Sequence, residues 1–496
     1  MQSSPNQNPI RRIFFDCTIT RELGANTGIP RVVRNIVNKS ASLGREMGVA
    51  CQGVAFSLST GFVAVESLGP PCVASTPHVE VRTFGQKIRA RVKEWLVAAN
   101  LVDSARSLKR LLHRARYRAM LPARRRSRSH IRFEPGDVLL LIDSSWDAGF
   151  PWDDVREAQA QGALVGLVVY DLIPMQFPEV VGQPTHMLYS QWWDKASVVA
   201  DFIIGISKSV LDDIDNVDRA RRPAGAPRAT LRSGFFQLGA ELDGVGQGGL
   251  VRDEFRTAFA GGPVQRIRFA VPGTQRSAPS TPDKTSRTEH LELNTEHSVR
   301  DRAGAKTYLM VGMISPRKNH ALAVDAFDRL WAAGADVRLA IVGNYGWDCA
   351  DLMDRISRHP EFGRKLFWFK DVGDSELDFC YRHAAGLITA SFAEGFNLPI
   401  VESLSHGCPV LASDLPVHRE VGGGYAAFFP SGDAAALAEL ISRQQRDGAL
   451  PGVKSAVDFQ WPDWTSSCRM LLSRVIELGE RTQASSTAAR PQKAAA

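Results

Sequence analysis

The sequence predicts an α/β protein of more than one domain built on parallel sheet, and three observations carry that expectation. The chain has 496 residues, more than one ordinary hydrophobic core accommodates. Short apolar runs bounded by turn residues alternate with helical periodicity, as in Val138–Asp143, Pro151–Gln161 and Leu164–Tyr170. That alternation is the signature of a βαβ unit and hence of parallel strands. Finally, residues 391–413 (SFAEGFNLPIVESLSHGCPVLAS) read as a loop, a short helix and a buried strand.

In chain order, Ile13–Asp16 is a first strand, and Thr27–Pro30 a loop opening a helix from Arg31 to Leu43. Val32, Ile36 and Val37 share one face of that helix, and a strand pair follows over Val49–Val63. Tyr170 to Pro174 leave the Leu164–Tyr170 strand at its C-terminal end, where open α/β sheets bind ligands. Trp192–Val199 is helical, and Ala200–Ile206 is a strand with Ser207 placed as an N-cap. Residues 243–304 turn rich in Ser, Thr, Pro and charge, and read as a structureless linker. A second series then begins with the strand Thr307–Gly312, a basic loop through His320 and a helix over Ala321–Ala333. Strands at Val337–Gly343 and Leu366–Lys370 follow, then the bend containing Val372 and a helix over Ser375–His383. A late helix runs to about Glu480, and residues 481–496 are expected to be disordered.

The chemistry concentrates where loops meet helices. Pro399 suits the first turn of a helix, Asn397 tolerates left-handed backbone and Gly407 fits just past the helix end. Amides from Gly395 through Phe396 and Asn397 to Leu398 would converge at a helix N-terminus, a site for an anion. Glu394 and Glu402 bracket that point and suit sugar or ribose hydroxyls. Arg317 and Lys318 follow a strand and a glycine, and offer charge-assisted donors to a diphosphate. Gly28 and Arg31 are candidates of the same kind in the first half.

E-G-F-x-L-P followed by the second glutamate resembles the E-x7-E motif of family 4 retaining glycosyltransferases, which use nucleotide sugars. The resemblance extends to D-L-I-P…F-P-E at Asp171–Glu179, to G-x-x-x-P-R-K-N at Gly312–Asn319, and to a S-D-x-P step near Asp414. It implies the GT-B fold: two Rossmann-like, doubly wound domains facing a cleft. The implied units are an acceptor-side domain over 1–242, the linker, a donor-binding domain over 305–460, and a helix over 461–480 crossing back. It further implies that Lys318, Arg317, Glu394 and Asp171 serve catalysis. Gly28, Gly395, Phe396, Asn397, Leu398, Glu402 and Val372 would bind donor, with no metal and no cofactor beyond the sugar nucleotide. GDP-mannose is favoured, because the resemblance is nearest to bacterial polysaccharide mannosyltransferases, and the expected acceptor is a glycan or polyprenyl-linked glycan. Two departures stand out: Tyr170 replaces the usual His, where its hydroxyl is the available donor to a sugar, and Met313 replaces a frequent Arg.

Composition excludes other classes. No apolar run approaches the roughly 18 residues of a membrane span. The first fifteen residues lack an apolar signal region, so a cytoplasmic protein is expected. Seven cysteines without C-x-x-C argue against a disulfide framework or zinc site. The net charge of +7 belongs to one segment, 82–132, with sixteen Lys/Arg against two acids. Its basic amphipathic pattern suits an anionic membrane surface or a solvated insertion, which liposome flotation with and without the segment distinguishes. Nucleic acid is not expected, since charge alone supports it. A sugar-nucleotide epimerase and a non-catalytic binding module are the alternatives. A dinucleotide oxidoreductase is disfavoured, because the G-x-G-x-x-G at Gly244–Gly249 lies in the linker.

Overall fold

A computed structural model describes residues 9–23, 28–57, 59–69, 130–146, 149–181, 183–221, 232–242, 250–259 and 306–488. The basic segment lies outside these residues apart from 130–132, as do the G-x-G-x-x-G stretch, 260–305 and 489–496.

The described strands form two sheets. The first holds β1 (Arg12–Asp16), β2 (Ala50–Ser57), β3 (Gly61–Val65), β4 (Asp137–Leu141), β5 (Leu164–Val169), β6 (Phe202–Gly205) and β7 (Arg232–Phe235). Their order is β3-β2-β1-β4-β5-β6-β7, parallel except for the β2–β3 hairpin. The second holds β8 (Thr307–Val311), β9 (Arg338–Val342), β10 (Leu366–Phe369), β11 (Gly386–Thr389), β12 (Val410–Ser413) and β13 (Ala426–Phe429). Its order is β10-β9-β8-β11-β12-β13, all parallel. Both are doubly wound α/β sheets. Strands such as Asp137–Leu141 and Val410–Ser413 are buried along their whole length, as parallel strands covered on both faces must be. In each sheet the strand order reverses once, between β1 and β4 and between β8 and β11. A crevice opens at such a reversal.

The helix Trp464–Ala488 returns to the first domain. Its Trp464 indole donates to the Glu241 carbonyl at 3.0 Å, and Cys468 Sγ reaches the Ile36 carbonyl at 3.6 Å. This helix extends past Glu480, so the expectation of disorder from 481 is corrected through Ala488. Ion pairs from Glu477 to Arg474 and Arg481, one turn away on either side, support the last turns. The linker expectation is corrected too. Asp253–Phe259 is helical, with Phe255 fully buried and stacked on Phe369 at 4.1 Å between ring centroids. Arg252 grips Glu376 with two nitrogens, at 2.6 and 2.9 Å. Two phenylalanines one turn apart give this short segment an apolar face that composition averaged away.

The domains meet through specific contacts. Ser207 Oγ donates to the Gly395 carbonyl at 2.8 Å. The Glu420 carboxylate accepts from the amides of Lys208 (2.6 Å) and Ser209 (2.8 Å) and from Ser209 Oγ (2.6 Å). It thereby caps a helix of the other domain, Lys208–Arg221. Glu420→Ala is expected to lower stability by about 1 kcal/mol, the usual worth of an N-cap. Urea unfolding checks this, and an unchanged midpoint contradicts it.

Candidate active site between the two sheets

The loops after β8 and β11 flank the reversal point of the second sheet. After β8 the chain turns through Gly312, whose φ of +140° is open to glycine. A Cβ there would fall 3.1 Å from Lys318 Cε, so glycine also leaves room for the lysine stem. Pro316–Lys318 make one 3₁₀ turn, and Asn319, at φ +52°, caps the helix His320–Ala332. After β11, Ser391 and Glu394 lie on the facing loop. Asn397 takes the left-handed conformation (φ +77°, ψ +68°), Pro399 sits in the first turn of the helix Leu398–Ser405, and Gly407 follows its end at φ +69°.

Glu394 is the hub. Its carboxylate pairs with Arg317 through one oxygen and with Lys318 Nζ at 2.6 Å through the other, which also accepts from Ser391 Oγ at 2.8 Å. Arg317 Nη1 additionally donates to the Ala393 carbonyl at 2.8 Å. Burial would raise the Glu394 carboxyl, but Arg317 and Lys318 outweigh it and hold it far below the usual range. Burial pulls the Lys318 ammonium down against the attraction of Glu394. Glu394 is thus shared directly by both cations. Asp171 stands across from Arg317 in the first domain, its carboxyl raised by burial and drawn back by Arg317. Its Oδ1 accepts from the Ile173 amide at 3.2 Å.

Asn397 fixes the turn. Its amide donates to Thr389 Oγ1 at 2.8 Å and to His418 Nε2 at 2.9 Å. An imidazole accepting at Nε2 carries its proton on Nδ1, which faces the Ser413 carbonyl at 2.8 Å. Gly395 has no alternative: a Cβ would lie 1.9 Å from the Tyr170 carbonyl oxygen of the first domain. Phe396 turns its ring inward, 4% exposed, against Trp461 at 6.0 Å, so only its backbone is available to a ligand. Leu398 is half-buried at the helix start.

A second cluster surrounds Glu402. Arg31 Nη1 donates to Glu402 Oε1 at 2.9 Å, its other terminal nitrogen pairs with Asp374, and the Tyr381 hydroxyl donates to Glu402 Oε2 at 2.8 Å. Val372, half-buried, lies two residues before Asp374. Gly28 is exposed with φ +53° at the entry to the helix Ile29–Glu46, with no atom within 4 Å of a built Cβ. The sequence singled out Arg31 and Glu402 separately. Tyr381 and Asp374 were missed, because a buried phenol and a helix-opening acid carry no motif of their own.

The Tyr170 expectation needs correction. Its hydroxyl donates to the Ile142 carbonyl at 2.8 Å and the residue is 6% exposed, so it belongs to the core and does not reach a sugar. The pair Asp213 and Asp215 lies in the helix Lys208–Arg221, where Asp213 accepts from Gln176 at 2.8 Å. Among the described residues no cluster of three metal-ligating side chains forms, and no helix is long and apolar enough to cross a membrane.

Residues 295–451 match the family model described as glycosyl transferases group 1. The chain is 29% identical over 351 residues to the serotype-specific mannosyltransferase WbdA of Escherichia coli, covering 70% of this chain and 38% of that protein. It is 28% identical over 195 residues to the phosphatidyl-myo-inositol mannosyltransferase of Mycobacterium leprae, covering 36% of this chain and 50% of that protein. Among solved structures, the sucrose-phosphate synthase of Thermosynechococcus elongatus aligns over 97% of this chain and all of its own, at a TM-score of 0.48 and 13% identity. The chain thus spans little more than a third of the length of WbdA. Residues 295–451 are similar to the glycosyl transferases group 1 family, and the chain that carries them is similar to bacterial mannosyltransferases.

Proposed function

We propose that the protein is a retaining glycosyltransferase. It transfers a hexose, mannose favoured, from a nucleotide sugar to a hydroxyl of a glycan or lipid-linked glycan in cell-surface polysaccharide synthesis. The observation that supports this most is the Arg317–Lys318–Glu394 cluster beside the N-terminus of the helix Leu398–Ser405. Two cations close to a helix N-terminus would suit a diphosphate and the charge it gains on departure. No further cofactor is needed for that neutralisation.

In the reaction, the bond from the sugar C1 to the diphosphate oxygen breaks and a bond from the acceptor oxygen forms on the same face. The acceptor proton passes to the departing phosphate oxygen. Arg317, Lys318 and the amides of Gly395–Leu398 stabilise that oxygen. Glu394, already anchored by both cations, orients sugar hydroxyls, and Asp171 closes the sugar pocket from the other domain. At Glu402, a ribose hydroxyl competes with Arg31 for Oε1 while Tyr381 retains Oε2. Gly28 leaves space for the phosphates at the opening of its helix, and Val372 offers backbone to the base.

The test is release of nucleoside diphosphate from a panel of donors, with and without a polyprenyl-linked glycan. GDP-mannose is expected to be consumed in step with acceptor, giving an α-linked product. Isomerisation of donor without acceptor supports an epimerase instead, and consumption of none of the donors contradicts the reading.

A further inference from the structure

We infer that the loops after β8 and β9, joined by Phe392 and Phe177, form a platform for the sugar rings of the acceptor. This glycan subsite deepens the glycosyltransferase reading and rests on it. Five large apolar side chains are exposed here: Met313 (49%), Tyr345 (52%), Trp347 (39%), Phe392 (42%) and Phe177 (36%). Isolated exposed hydrophobics are ordinary, but a group of them beside a charged cleft marks a binding surface.

Backbone geometry places them together. The Ile314 amide donates to the Asn344 carbonyl at 3.0 Å, and Ile314 bridges Tyr345 in parallel register. At Gly346 a Cβ would fall 2.2 Å from the Ile314 carbonyl oxygen and 2.9 Å from Met313 Cγ. Glycine alone therefore lets Tyr345–Trp347 lie flat against Met313. The Phe392 amide donates to the Arg317 carbonyl at 2.9 Å, which brings Phe392 to the edge of the cation pair. The Trp347 indole reaches the Val180 carbonyl at 3.3 Å, three residues after Phe177 in the first domain. The surface therefore bridges both domains at the mouth of the crevice and adjoins the reacting centre.

Its chemistry selects the occupant. None of the five side chains carries charge, so a phosphate has no partner among them. Two are aromatic with a polar tip, which suits the C–H face of a pyranose with hydroxyls around it. A lipid chain would be served by an enclosed aliphatic groove, whereas these side chains lie open on the cleft edge. Rings stacked on Tyr345 and Trp347 would present the terminal hydroxyl of the chain toward Arg317 and Glu394.

The experiment titrates the full-length protein with a free α-linked manno-oligosaccharide by calorimetry, and separately with GDP-mannose. Trp347→Ala is expected to weaken the oligosaccharide about tenfold, the scale of one aromatic contact, and to leave GDP-mannose affinity at the wild-type value. Trp347→Phe, which keeps a ring but loses the bond to Val180, should retain most of the affinity. Tyr345→Ala, on the opposite side of Gly346, should weaken the oligosaccharide as well and covers the case in which Trp347→Ala misfolds. Unmoved oligosaccharide binding in both alanine variants overturns the inference. Absence of GDP-mannose binding in the wild type counts against the donor reading alone, because the oligosaccharide titration does not depend on it.

Discussion

Replacing Lys318 by alanine lowers turnover by about 10²–10³-fold and leaves the protein folded, in line with loss of one preorganised charge donor from a reacting centre. The position of the ammonium sets the size of this effect. Lys318 is held 2.6 Å from Glu394 with its stem over Gly312, so its position is set before any ligand arrives. Removing it does not strand the acid, because Glu394 still has Arg317 and Ser391. The loss therefore falls on the step in which diphosphate charge develops, and kcat should drop more than donor affinity weakens. Steady-state turnover at saturating donor checks this, with thermal unfolding run beside it. A decrease of less than tenfold in a folded variant contradicts the role assigned to Lys318.

Glu394→Ala is expected to be the more destabilising change. It leaves two buried cations facing each other without their shared partner. Breaking a buried pair from one side costs about 3–5 kcal/mol, most of it the desolvation of the charge left behind. The double variant Glu394→Ala with Lys318→Met removes one orphaned cation and should recover part of that loss, which urea unfolding of the three proteins measures. A double variant less stable than Glu394→Ala refutes the account. The pH dependence follows from the direction of the shift. Glu394 is depressed below its ordinary value of 4.5, so its stabilising contribution is fully present above that value. It is lost only as the pH falls below it, toward the depressed folded-state value. Wild type should therefore lose stability faster than Glu394→Ala on acidification below pH 4.5.

Much of the second domain was legible because its signals are local. Pro399 in the first helical turn, Asn397 in left-handed backbone and Gly407 beyond the helix follow from the intrinsic geometry of those residues, and the loop carrying Arg317 and Lys318 sits between a buried strand and a helix. What the sequence hid is long-range. Glu420 caps a helix that starts more than two hundred residues earlier, and Arg31 meets Glu402 across 371 positions. No periodicity encodes such pairs; they exist only once both sheets are built. Tyr170 was misread for a related reason. At the end of a strand it stands where a ligand would approach, yet the Ile142 carbonyl on the neighbouring segment takes its hydroxyl. Phe255 escaped notice because two aromatic residues in a polar stretch fall below any compositional threshold, although one of them closes the edge of the second sheet.

The central claim is that a sugar nucleotide is held at the junction of the β8 and β11 loops. A crystal structure of the protein with GDP-mannose tests it most directly. The account predicts the diphosphate within hydrogen-bond distance of Lys318 Nζ, the Arg317 guanidinium and amides of Gly395–Leu398, with the hexose beside Glu394. A diphosphate seated elsewhere on the second sheet, with those groups untouched, would contradict it.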